Sequence, residues 1–195
     1  MSQDPLDRLE DVLNYSFRDR SLLTHALTHS SRKNEVQYSN ERLEFLGDAI
    51  LGAVVSDYLY RHFPDFTEGH LTRVKSRVVS RATLGHVGQH LGLGQYLLVA
   101  KGVARAPLPE APKPASRRHR GLPPSLVSDA LEAVVAAIYL DGGMEPARNF
   151  VLRELRNAID KACKTAHVHN YKSALQQVLA EMKLFVLEKC TKPAR

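Results

Sequence analysis

The sequence predicts an all-α fold. Apolar residues recur at intervals of three and four through most of residues 5–164, few stretches alternate as half-buried strands do, and breaks fall at Gly and Pro. Pro5 to Asn14 begins like a short capped helix, and Ser21 to Thr28 places Leu22, Leu23, Ala26 and Leu27 on one side of another. Residues 30–39 are polar and irregular. A long helix is predicted from about Asn40 to Arg61, closed by a turn over 62–69 that holds Pro64 and Gly69. Leu71 to Val79 reads as a basic amphipathic helix with Arg73, Lys75, Arg77 and Arg81 in or near it, and Ala82 to Leu91 as another. Gly92 and Gly94 end that run. Residues 102–124 hold six prolines and form a loop with no core-forming pattern, expected to be mobile. Ser125 is a candidate N-cap for a helix ending near Asp141–Gly142–Gly143. Glu145 to Lys164 closes the domain, and after a link at 167–170 an amphipathic run covers Tyr171 to Met182.

Chemistry concentrates on two of these helices. Glu41, Glu44 and Asp48 are spaced three and four apart, so they fall within about 60° of one another on a helical wheel. Leu43, Leu46 and Ile50 occupy the opposite side. The later helix repeats the arrangement, with Asp129 and Glu132 on one face and Val127, Leu131, Val134 and Ile138 behind them. For a single helix, a solvated polar face explains such spacing. Like charges bunched on two helices with little basic company cost stability unless something positive sits there. Together they could pool four or five carboxylates around Mg²⁺, which prefers oxygen ligands. Gly47, Ala133 and Ala136 are expected to leave room beside the acids for a ligand. Phe45 lies about 40° from Glu41, off the core stripe, which suits an interface anchor.

Composition sets the limits. At 195 residues the chain holds one substantial domain and at most a small appendage. No apolar run reaches the 18 or more residues of a membrane span, and the acidic, polar start is no secretory signal. Cys163 and Cys190 make no disulfide framework or metal spacing and suit free thiols in a reducing cytoplasm. The net charge of +6 is divided: residues 101–124 carry six Lys/Arg against Glu110 alone, a net +5. Residues 161–195 carry seven against Glu181 and Glu188, again +5, which leaves the remaining body at −4. Basic attachments on an acidic body suit a polyanion gripped at its edges, or else merely aid solubility. His25 and His29 have no third ligand nearby for zinc. Ser30 and Ser31 beside His29 lack the elbow and acid of a hydrolytic nucleophile.

Asn40–Leu51, reading NERLEFLGDAIL, resembles the signature helix of the ribonuclease III family. Glu68–Gly69–His70–Leu71–Thr72 resembles its EGxLT segment. Ser125–Asp129, Leu131–Glu132–Ala133 and Ile138–Gly143 resemble its second acidic block. The resemblance covers roughly residues 5–160. It implies an all-α endonuclease domain, homodimeric and cytoplasmic, that cuts double-stranded RNA to 5′-phosphate and 3′-hydroxyl ends. Ribosomal RNA precursors and structured messenger RNAs are its implied substrates. Glu44, Asp48, Asp129 and Glu132 match the family's metal-binding and catalytic carboxylates, for Mg²⁺ with Mn²⁺ able to substitute. Asp48 and Glu132 are expected to be the most rate-sensitive pair. Glu41 and Glu68 match supporting acidic positions, and Phe45 the aromatic that enters the partner subunit.

By this reading residues 5–163 form the catalytic domain, with the 102–124 loop inside it. Residues 168–195 begin a double-stranded RNA-binding domain of which only the first helix, Tyr171–Gln177 onward, is present. A lone helix cannot span successive minor grooves, so weaker and more salt-sensitive RNA binding is expected than with a complete module. The longer Pro/Arg-rich loop is the second departure from the family. Arg117, Arg118 and Arg120, with Lys172 further on, are expected to contact RNA phosphates, although a tolerated insertion would look the same. The rival to an enzyme is a catalytically weak or inactive RNA-binding or ribosome-associated protein on the same fold, which loss of a carboxylate would mark. All are present.

Overall fold

The computed structural model describes residues 4–32, 38–100, 106–107 and 120–166. Helix α1 (Pro5–Leu13) starts where Asp4 accepts the Leu6 amide at 3.0 Å and stops at Asn14, whose φ of 47° is left-handed. In α2 (Arg20–Ala26), Asp19 plays the same capping role for the Ser21 amide at 2.9 Å. The long α3 (Glu41–His62) follows, then α4 (Glu68–Val78) and α5 (Arg81–His90), capped by Thr67 and Ser80. Helices α6 (Pro124–Gly142) and α7 (144–166) complete the described helices. Each helix expected within these residues is present, its ends moved by three residues or fewer. The run from Tyr171 lies outside the described residues.

Two local expectations are corrected. Helix α6 begins at Pro124 with Pro123 at the cap position, so Ser125 lies inside the first turn. Proline suits the first helical position because its fixed φ is helical and its missing N–H has no intrahelical partner there. The Ser125 carbonyl instead accepts the Ser128 hydroxyl at 2.8 Å. The 102–124 segment is not structureless at its ends: β1 (Ala106–Pro107) pairs antiparallel with β2 (Arg120–Gly121), and Leu122 is buried.

Helix α6 is the centre of the fold. Val127, Ala130, Leu131, Ala133, Val134, Val135, Ala136, Ala137 and Ile138 are all buried, so neighbours enclose most of its circumference and leave the side of Asp129 and Glu132 partly open. Helices α3, α5 and α2 pack against it. Glycines set how close they come. A Cβ on Gly47 would land on the backbone carbonyl of Glu132, and one on Gly88 would meet Val127 Cγ1 at 2.6 Å. The room at Gly47, Ala133 and Ala136 is therefore filled by protein, with Gly47 and both alanines buried. The small residues admit a neighbouring helix and not a ligand, which corrects the expectation.

Polar latches hold the bundle in register. Asp141, near the end of α6, accepts the Tyr15 hydroxyl at 2.7 Å and the Arg18 and Asp19 amides at 3.1 and 2.8 Å. Asp57 of α3 accepts Arg148 of α7 at 2.7 Å.

Gly47→Ala is expected to destabilise the protein by about 3 kcal/mol or more, because its methyl meets backbone that cannot swing aside. Gly69→Ala, in α4 with nothing within 4 Å of the new methyl, is expected to stabilise by about 0.5–1 kcal/mol. Urea titration of both variants checks the contrast. Equal stabilities would refute the role given to the α3–α6 contact.

Candidate metal-binding cleft

The two acidic stripes meet where α3 crosses α6. Gly47 lies against the Glu132 backbone, so Asp48 and Glu44, one and three residues away on α3, face the acids of α6. Glu41, Glu44, Phe45 and Asp48 of α3, Glu132 of α6, and Val79 and Arg81 line an open cleft of about 620 Å³. Asp129, one turn before Glu132, sits at its margin: Oδ1 is 3.8 Å from the Arg81 guanidinium and 3.3 Å from the Ser128 hydroxyl.

Electrostatics show how closely these groups are coupled. Burial pushes Glu132 up to about 7, and the charges of Asp48, Glu44 and Asp129 push the same way while Arg81 opposes them. Glu44 is also raised, first by burial and then by Asp129, with Arg81 again opposing. A carboxylate feels such neighbours only when they share its surroundings, so acids from both helices occupy one electrostatic site.

The donor set is oxygen only, which suits a hard cation such as Mg²⁺. Among the described residues, however, no three Asp, Glu, His or Cys side chains are already gathered closely enough to hold one ion. The acids fit such an ion by charge and donor type without forming a ready-made cluster. The other grooves are less acidic. The one between α5 and α7 holds Arg77, His86, His90 and Lys161, with Glu154 the one acid among its described lining residues.

The remaining sequence candidates divide. Phe45 is 81% exposed beside the acids, off the core as its wheel position suggested, while Leu43 and Ile50 are buried. Glu68 opens α4, accepts the Thr72 hydroxyl at 2.7 Å and does not line the cleft. Arg120 falls in β2, whereas Arg117, Arg118 and Lys172 lie outside the described residues. Arg81 is the cleft residue that sequence reasoning passed over, having counted it with a basic helix. Its place directly after the Ser80 cap, at the first residue of α5, was the available signal.

All-helical packing with acids opposed across two crossing helices is the class of protein that fold and cleft define. Comparison with known proteins narrows it. The family described as Ribonuclease-III-like matches residues 19–159. A Ribonuclease 3 of Rhodopirellula baltica is 44% identical over 172 residues, 88% of this chain and 60% of that protein. One of Symbiobacterium thermophilum is 43% identical over 171 residues, 87% of this chain and 67% of that protein. A structure of the nuclease domain of ribonuclease III from Campylobacter jejuni superposes with a TM-score of 0.66 at 37% identity. That match covers 78% of this chain and 97% of the domain. The chain belongs to the ribonuclease III family. It spans about three fifths of the length of the Rhodopirellula relative.

The cleft predicts a pH response in metal-free protein. A carboxyl whose pKa is higher folded than unfolded costs stability as it ionises. For Glu132 that cost is absent below about 4.5 and complete above about 7. In EDTA at pH 8, Glu132→Gln is therefore expected to be more stable than the native protein by about 1 kcal/mol after solvent screening, a few degrees in Tm. At pH 4 the difference vanishes. Thermal melts across this range check it, and a gap that does not change with pH refutes it.

Proposed function

We propose that the chain is a divalent-metal-dependent endoribonuclease that hydrolyses double-stranded RNA and works as a homodimer. The observation that carries this is the meeting of Glu44 and Asp48 with Asp129 and Glu132 across the α3–α6 crossing. The names of the relatives support the reaction. Residues 5–163 are the nuclease unit, and 168–195 open a double-stranded RNA-binding segment.

Glu44, Asp48, Asp129 and Glu132 are the proposed ligands of Mg²⁺, with Mn²⁺ as substitute. Held by these four residues, such a cation would supply positive charge to the attacked phosphate and would activate water for the attack. Water adds to phosphorus and the bond to the 3′ oxygen breaks, which yields 5′-phosphate and 3′-hydroxyl ends. Asp48 and Glu132, on opposite helices, orient the site, and their loss removes charge from both of its walls. Glu41 lines the same cleft and supports the site, whereas Glu68 accepts the Thr72 hydroxyl outside it. Arg117, Arg118, Arg120 and Lys172 are proposed to meet RNA phosphates, the sequence-independent part of duplex binding. Ribosomal RNA precursors and structured messenger RNAs in the cytoplasm are the proposed substrates. No helix among the described residues is long and apolar enough to cross a membrane.

The proposed dimer rests on one face of α3. Phe45 and Tyr60 are 81% and 75% exposed, with the small, exposed Ala49 and Ala53 between them. Aromatic anchors flanking small residues let another surface approach closely. The nuclease domain of Campylobacter jejuni ribonuclease III has a region involved in dimer formation, which supports a self-association face in such domains.

A long RNA duplex is expected to be cut with Mg²⁺ and left intact with EDTA. Asp48→Asn should lower the rate at least about 100-fold while duplex binding persists. Cleavage undiminished in EDTA, or binding without cleavage, would end the proposal. Phe45→Ala is expected to weaken the dimer at least about tenfold in sedimentation equilibrium. An unchanged dimer would remove Phe45 as its anchor.

A further inference from the structure

Arg81 is the one cation among the described residues lining the acidic cleft. Its guanidinium approaches Asp129 Oδ1 at 3.8 Å, near the outer limit of an ion pair, and the side chain is 70% exposed. A fixed bidentate pair would be shorter and more enclosed. The backbone of Arg81, by contrast, is well held. Ser80 accepts the Thr83 amide at 3.3 Å and donates to the Arg77 carbonyl at 2.9 Å. A rigid base with a loose tip keeps a positive charge within reach of the acids without locking it to any one of them.

We propose that Arg81 is the built-in counter-ion of the cleft, holding the place of positive charge among the α3 and α6 acids in metal-free protein and competing with the divalent cation for them. This rests on the reading above that those acids bind a metal. Both Glu44 and Glu132 feel Arg81 as the charge opposing their burial and crowding, so its influence reaches beyond Asp129. A dication shared by several carboxylates prevails over one loosely paired guanidinium, which leaves for solvent. Arg81 thus limits repulsion before the ion arrives and weakens the ion's net binding. A residue that merely held the fold together would do the reverse, since its loss would loosen the ion site.

The test compares the native chain with Arg81→Gln and Arg81→Lys at pH 8. Calorimetric titration with Mn²⁺ gives the affinity, and melting in EDTA gives the metal-free stability. Arg81→Gln is expected to melt lower in EDTA yet bind Mn²⁺ about three- to tenfold more tightly, with Arg81→Lys close to native. Equal or weaker Mn²⁺ binding by Arg81→Gln overturns the role of Arg81 while leaving the metal site standing. Absence of Mn²⁺ binding by the native chain overturns the metal reading and this inference together.

Discussion

The backbone of α3 rests directly on the backbone of α6, with Gly47 against the Glu132 carbonyl, and most of the site follows from that contact. A helix pair separated by ordinary side chains sits 8–10 Å apart between axes. Removing the side chain at the crossing point brings the neighbouring residues of both helices nearer than that. Glu44 and Asp48 flank the glycine on one helix, and Asp129 lies one turn from Glu132 on the other. The acids are therefore crowded by main-chain geometry and not by side-chain choice. Gly85 and Gly88 repeat the device between α5 and α6, the first against the Pro124 carbonyl and the second against Val127.

Crowding of this kind works against folding. Partly buried like charges raise the carboxyl pKa of Glu44 and Glu132, so the native state is strained at neutral pH in a way that a redesigned apolar surface would not be. The strain is tolerated because the rest of α6 is anchored elsewhere. Its apolar surface is enclosed over most of its length, and Asp141 near its C-terminal end takes three hydrogen bonds from the segment between α1 and α2. Helix α3 is tied separately to α7 through Asp57 and Arg148. The scaffold outweighs local repulsion, which leaves the cleft short of positive charge.

What could be read in the sequence followed from helical periodicity. Acids at three- and four-residue spacing, backed by Leu43 and Ile50 or by Leu131 and Val134, specify both a helix and the face it shows. Phe45 was legible for the same reason, as an aromatic on the wrong side of the wheel. Periodicity does not say what lies opposite a small residue, so Gly47, Ala133 and Ala136 read as room for a ligand although α3 and α6 fill it. Local propensity misplaced the start of α6, because Ser125 is a good cap while Pro123 and Pro124 determine the turn. Arg81 was missed for a different reason. Its partners are 48 residues away in sequence at Asp129, and charge counted along a helix says nothing about charge across a cleft.

Helix α3 has three uses that its pitch keeps apart. One face carries Ile50, Leu51, Val54 and Val55 into the core, a second presents Glu44 and Asp48 to α6, and a third exposes Phe45, Ala49, Ala53 and Tyr60. Phe45 lines the cleft as well as projecting from it, so the second and third faces share an edge. In the proposed dimer, a partner seated on Phe45 would stand beside Glu41 and Asp48 and exclude water from one side of the acids. Lower local dielectric strengthens every charge interaction there, the attraction for a cation included. Self-association and ion binding would then reinforce each other through a single side chain, and separating the two would require moving Phe45 by at least one position along the helix.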